Sequence, residues 1–203
     1  PDGSRSWVRR DLMELVRYAT AATECLSANW TFGNGEPLGL GDMSEANGAI
    51  PGTAIGYPGH PEGSHTNGYD MDIAYFQLGT IDNKLRSVCE FELGGVDQYH
   101  CSGRVDTLDV WRTALFIGKL HDSEYLRVIG VDGKVGPLVV EAIDQLCQRG
   151  WLTGNACNGL RLAYEETNQN NGWFYWHHHH LHISLSDSQV SNVWSLPGMP
   201  TCH

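Results

Sequence analysis

Residues 173–185 read WFYWHHHHLHISL and carry five of the chain's ten histidines. In LHISL the two-residue period of a strand sends His180, His182 and Ser184 to one face and Leu181, Ile183 and Leu185 to the other. An HxH pair so phased brings two ring nitrogens toward a common point, which suits a metal with ligands about 2.0–2.1 Å away. Upstream, GSHTNGYDMDIAYF at 63–76 places His65 in a glycine-flanked turn and Asp70 and Asp72 on one face of the strand that follows. Two carboxylates on a strand face are costly unless a cation lies over them, and a divalent metal supplies that charge. Two histidines and one carboxylate leave a fourth position for water, the form of a catalytic zinc site. The run is not a terminal tag, because it lies between an aromatic cluster and an alternating strand-like segment.

These residues need a scaffold, and the pattern of the chain predicts one. RSWVRRDLMELVRYATAATECL at 5–26 spaces Val8, Leu12, Leu15, Val16 and Ala19 as one helical stripe, with Arg9, Arg10 and Arg17 off it. From Gly33 to Gly68 there are ten glycines and four prolines, which predicts a long ordered loop region that shapes a cleft. Strands are predicted at 69–78 and 87–93, with a further short one near Tyr99. A helix over 107–120 capped by Asp106 or Thr107, a strand at 125–131 ending at Asp132-Gly133, and a helix over 136–150 ended by Gly150 complete the pattern. Strands interleave with helices and no repeat or linker divides the chain. The predicted fold is therefore α+β, a mainly antiparallel sheet with flanking helices in a single domain over 1–203, the N-terminal helix and C-terminal tail packed onto the core.

Charge and cysteine content narrow the function classes. Thirteen basic against 24 acidic residues give a formal charge of -11, which repels nucleic acid and anionic membrane surfaces. No apolar stretch approaches the roughly 20 residues of a membrane span. The chain opens at Pro1 with neither a methionine nor an apolar targeting segment, as expected after removal of a signal peptide or after trimming. Six cysteines form an even set with no CxxC pair, which reads as disulfides rather than metal ligands. Closing short loops is entropically easiest, so Cys89–Cys101 and Cys147–Cys157 are the first pairings, leaving Cys25–Cys202 to tie the chain ends. Six buried thiols in a cytosolic protein are the opposing reading.

The spacing His65-x6-Asp72, followed far downstream by His180-x-His182, resembles the metal motif of a peptidase group. That group includes lysostaphin-type peptidases, D-alanyl-D-alanine carboxypeptidases and dipeptidases, and the hedgehog signalling domain. SHTNGYDMDI, together with GDMS at 41–44 and the HHHHLH run, is most similar to the penicillin-insensitive murein endopeptidases. The likeness spans residues 38–185 but is concentrated in those three segments. It implies a hedgehog/D-Ala-D-Ala peptidase-like fold and one zinc ion held by His65, Asp72 and His182. His180 matches the histidine that acts as base or stabilises the transition state, and His177 matches another active-site histidine. Strand parity favours His178 over His177 on the metal face, so the match requires a bend before His180. Where these endopeptidases carry a histidine three residues before the first ligand, this chain has Glu62, with His60 displaced by two.

The resemblance further implies hydrolysis of peptide bonds in peptidoglycan, either a D-alanyl cross-link or a bond to the central diamino acid, by a periplasmic or secreted enzyme. Asp70 is expected to hold a ligand imidazole or to be a structural strand-start carboxylate. Ser64 and Asp42 are expected beside the substrate, although Asp42 also suits a turn cap. His178 and His179 read as surface or cleft residues, and Trp173, Phe174, Tyr175 and Trp176 as core and cleft wall. The alternative function is a zinc-stabilised extracellular binding domain without hydrolysis. A histidine-rich metal carrier is less well supported, because the histidines are strand-phased rather than merely dense.

Overall fold

The computed structural model of the chain describes residues 5–186, so the Cys25–Cys202 pairing and the C-terminal tail lie outside the described residues. Four α-helices are present, α1 (Arg10–Ser27), α2 (Val110–Leu120), α3 (Val135–Gln148) and the short α4 (Asn155–Asn158). The strands are β1 (Asp70–Ile73), β2 (Glu92–Leu93), β3 (Val96–Asp97), β4 (Leu126–Gly130), β5 (Leu162–Ala163) and β6 (Leu181–Leu185). The main sheet runs β1-β6-β4-β5, with β6 antiparallel to both neighbours and β4 parallel to β5. The fold is thus α+β with an antiparallel-rich sheet.

The alternation of β6 sorts its two faces. Leu181, Ile183 and Leu185 join Met71 and Ile73 of β1 and Leu126 and Ile129 of β4 in one apolar cluster. Against it pack Leu12, Leu15 and Ala19 of α1, Leu115 and Phe116 of α2, and Val139 and Ile143 of α3. Burying each such side chain contributes about 1.5–3 kcal/mol, so this face anchors the sheet. The opposite face is left to His182, Ser184 and the aspartates.

Several elements are shorter than the sequence pattern predicts, each for a tertiary reason. The strand predicted over 69–78 pairs in the sheet only through Ile73, after which Ala74 N–H donates to the Gly39 carbonyl (2.8 Å). The glycine-rich segment thereby becomes the outer partner of β1, with Gly41 N–H donating to Asp72 O (2.8 Å) and Asp72 N–H to Asp42 O (2.9 Å). A Cβ at Gly41 would press on the Asp72 side chain and Leu85, so glycine permits this approach. The strand predicted over 87–93 is reduced to β2, which pairs with β3 outside the main sheet around the Gly94-Gly95 turn. The predicted Asp106 or Thr107 cap is corrected to Asp109, whose carboxylate accepts from Arg112 N–H at 3.1 Å. Thr107 and Leu108 are instead bonded to residues 77–78 in extended form, which delays the helix. The helix predicted over 5–26 begins at Arg10, the one over 136–150 runs from Val135 to Gln148, and α4 and β5 were not foreseen.

Two predicted disulfides are present. Cys89–Cys101 closes the loop bearing the β2-β3 hairpin, and Cys147–Cys157 joins α3 to α4. Among the described residues no helix is long and apolar enough to cross a membrane.

His121, at the end of α2, is buried with both ring nitrogens engaged. Its Nδ1–H donates to Ile117 O (2.8 Å) and its Nε2 accepts from Arg161 N–H (2.8 Å). Burial lowers its pKa. The unfolded chain therefore binds a proton near pH 6.5 that the folded chain refuses, so the contribution of neutral His121 is present above that pH and declines as pH falls. His121→Ala is expected to cost about 2–4 kcal/mol in urea unfolding at pH 7. The gap between parent and variant should narrow toward pH 5, and a widening gap would refute the assignment.

Candidate metal centre

The pairing of β1 with β6 sets the site. Asp72 lies opposite His182 and Asp70 opposite Ser184, so all four side chains share the face away from the helices. His182 Nδ1 is 3.1 Å from Asp72 Oδ1, and its Nε2 is 3.1 Å from Asp70 Oδ1. His65 enters from the turn before β1, with a left-handed backbone (φ 51°) between Gly63 and Gly68. Its Nδ1–H donates to the Met43 carbonyl (3.0 Å), which leaves the Nε2 lone pair facing the site. That Nε2 lies 3.0 Å from His182 Nδ1 and 3.3 Å from Asp72 Oδ1.

Three atoms therefore converge with mutual separations of 3.0, 3.1 and 3.3 Å. Ligands about 2.0–2.1 Å from a tetrahedral ion stand about 3.3 Å apart, so the donor set fits a small divalent cation. His60, His65 and Asp72 also form a group that could hold a metal ion. The two groupings differ in their third member. His182 sets its Nδ1 3.0 Å from His65 Nε2 and 3.1 Å from Asp72 Oδ1, with Asp70 Oδ1 on its Nε2. His60 stacks on His65 (3.8 Å between rings), and its Nε2 is engaged by Asp42 Oδ2 at 3.1 Å.

The electrostatics follow from burial and pairing. Burial works against charge on Asp72, yet the imidazoles of His180, His182 and His65 hold its carboxyl well below the usual range. Burial likewise opposes ionisation of Asp70, but hydrogen bonds from His182 and Ser184 outweigh it and lower its pKa. For His182, burial is overcome by the two carboxylates, which raise it to about 9. His180 is pushed well below its ordinary value, chiefly by burial, and the same cause takes His177 and His179 down to about 4. Burial thus keeps His177 neutral near pH 7.

His180 precedes β6 and sets its Nε2 3.5 Å from Asp72 Oδ1 and its Nδ1 3.2 Å from His179 Nε2. The bend needed before His180 is present, since residues 174–176 and 178–179 are bends rather than strand. His177 and His179 consequently line the cleft, while His178 turns away and stacks on Phe91 (5.2 Å). The cleft has a volume of about 560 Å³ and is also bordered by Asp42, Ser64, Glu62 and Arg127. Ser64 Oγ–H donates to Pro61 O (2.9 Å) and closes the turn ahead of His65. Asp42 bridges His60 and Arg5, whose Nη1 lies 3.4 Å away, rather than capping a turn.

Four positioning residues escaped the sequence reading. Tyr75, fully buried, donates its hydroxyl proton to His177 O (2.9 Å) and accepts from Asp132 N–H (3.2 Å), fixing the histidine run to β4. The Glu165 carboxylate accepts N–H bonds from Gln169 (2.7 Å), Asn171 (3.3 Å) and Trp173 (2.7 Å). It thereby shapes the loop that lays Trp173 6.0 Å from the His182 ring. Gly130, opposite His182 in β4, leaves room for that indole, which a Cβ would overlap. Arg127 of β4 reaches Ser184 Oγ (2.9 Å) and Asp70 Oδ1 (3.4 Å) and steadies the carboxylate behind His182. An acid in an Asn-rich stretch and a tyrosine in an apolar run carry no distinctive pattern, and strand alternation would put Arg127 and Gly130 on opposite faces, which only the irregularity between Leu126 and Val128 undoes.

Compared with protein-family models and with curated proteins, the chain finds no match.

Because Asp70 fixes the orientation of His182, Asp70→Asn is expected to weaken divalent-metal affinity by about 10–100-fold without abolishing binding at saturation. Competition against a chromophoric chelator measures this. Unchanged affinity would show that Asp70 is only a structural partner of Arg127.

Proposed function

We propose that this chain is a zinc-dependent hydrolase of amide bonds in the peptide part of peptidoglycan, a metallopeptidase of the murein endopeptidase type. The observation that carries the reading is the convergence of His65 Nε2, Asp72 Oδ1 and His182 Nδ1, with a further buried imidazole, His180, beside them at the floor of a cleft. The sequence likeness in the segments holding these residues supplies the substrate class. The disulfides Cys89–Cys101 and Cys147–Cys157 support a periplasmic or secreted location.

Bound zinc supplies Lewis acidity toward a carbonyl and lowers the pKa of water to about 7. His65, Asp72 and His182 would hold that ion, two through nitrogens whose opposite ring positions are fixed by Met43 O and Asp70. His180, kept neutral by burial, accepts the proton of the attacking water and returns it to the leaving amine. His177 donates its N–H to the developing oxyanion from the cleft wall. Trp173 covers the side of His182 and limits water there.

One observation favours a second reading, a closed structural metal centre in a binding domain. His60 lies near enough to His65 and Asp72 to complete the coordination. Against it, the Nε2 of His60 is engaged by Asp42 Oδ2 at 3.1 Å, which leaves only its Nδ1 for an ion.

Substituting His180→Ala separates the two readings. Zinc content should remain at one ion per chain while cleavage of crosslinked muropeptide, followed by product mass, falls about 100-fold or more. Equal turnover in parent and variant would remove His180 from the mechanism. A zinc-loaded parent that cleaves no muropeptide would establish the binding domain instead.

A further inference from the structure

The cleft wall holds two tryptophans with different surroundings. Trp173 packs into the notch at Gly130 and is explained by that contact. Trp176 also lines the cleft but is 57% exposed, and its ring leans on Tyr99, itself 44% exposed, with centroids 4.3 Å apart. Both residues have left-handed backbones, φ 77° for Trp176 and 59° for Tyr99. Such a conformation costs a bulky residue about 1 kcal/mol or more, and it persists only where the surroundings enforce it.

The enforcing contacts are visible. Trp176 N–H donates to Tyr99 O at 2.6 Å, and Tyr99 N–H donates to Asp97 Oδ1 at 2.6 Å. The loop that carries Tyr99 is closed by Cys89–Cys101, and Cys101 N–H is held by Asp132 Oδ2 at 2.9 Å. A covalently braced loop and two strained residues thus present a pair of aromatic faces to solvent beside the candidate metal centre. Water gains nothing from such a surface, so burial against a ligand is what would stabilise it.

We propose that Trp176 and Tyr99 form a sugar-stacking subsite for an N-acetylated pyranose of the glycan strand, next to the peptide-cleaving centre. This inference rests on the peptidoglycan reading above and adds the saccharide part of the substrate. A pyranose has an apolar C–H face and a rim of hydroxyl and amide groups. The exposed indole of Trp176 offers the matching flat face, with Tyr99 inclined at 42° against it, and the cleft that Trp176 lines carries hydrogen-bonding groups on Asn171 and His179. The acidic chain, at -11, disfavours a phosphorylated ligand here, whereas an uncharged sugar is unaffected.

The test uses the full chain loaded with zinc, two kinds of probe and two variants. Trp176→Gly removes the ring while relieving the left-handed backbone, so the fold should persist, and Trp176→Phe keeps a stacking face. In titration calorimetry the N-acetylglucosamine tetrasaccharide is expected to bind the parent and Trp176→Phe saturably, but not Trp176→Gly. The ratio of kcat/KM on disaccharide-bearing crosslinked muropeptide to that on the same peptide stripped of sugar should fall about tenfold in Trp176→Gly, the scale of one lost aromatic contact. An unchanged ratio, an equal loss on both substrates, or a parent that does not bind the tetrasaccharide would each overturn the subsite. Saccharide binding without peptide cleavage would sustain the subsite and sink the hydrolase reading, and cleavage without saccharide binding would do the reverse.

Discussion

Asp70 and Asp72 are 2% and 3% exposed, and both lie on the face of the sheet that the helices do not cover. Two carboxylates cannot remain ionised at that depth without compensation, because losing water costs several kcal/mol per charge. The fold answers with His182 set between them, one ring nitrogen to each carboxylate, and with His65 and His180 around Asp72. Removal of any one partner would leave a buried charge, so the site is held as a unit. A cation with room for one more ligand would suit it, because it would take the place of the proton that the two carboxylates hold on His182.

The rest of the structure serves that pairing. The apolar face of β6 fixes the strand in register with β1 and β4, and a slip of one residue would turn His182 into the core and Ile183 into the cleft. On the outer edge of β1, the Gly39–Gly41 approach brings Asp42 and Met43 close enough to hold His60 and His65. On the far side, Tyr75 and Glu165 tie the segments that carry His177 and Trp173 to the sheet. Loops supply most of the cleft lining.

Much of the site was legible because strand parity is a strong constraint. Phasing alone put His180, His182 and Ser184 on one side and predicted a bend if His177 rather than His178 was to face the cleft, and the bends at 178–179 supply it. The facing of Asp72 and His182 was less legible, since residues 110 apart in sequence meet only through sheet topology. Helix positions were read well from the 3.6-residue stripe, but the start of α2 was not. Thr107 looks like a cap locally, whereas its carbonyl is used to bind Leu78, and Asp109 takes the role. The 87–93 segment has strand propensity throughout, but only Glu92 and Leu93 form a strand, while Cys89 makes an isolated bridge to Val105 within the loop that Cys89–Cys101 closes.

His65, Asp72 and His182 are proposed to hold one ion, with His60 and His180 off it. The most direct measurement is a crystal structure of the zinc-loaded protein with diffraction recorded at the zinc absorption edge. A single anomalous peak is expected about 2.0–2.1 Å from His65 Nε2, His182 Nδ1 and an Asp72 oxygen. A peak bound through His60 in place of His182, a centre closed by His180 as a fourth protein ligand, or no ion among these residues would contradict it.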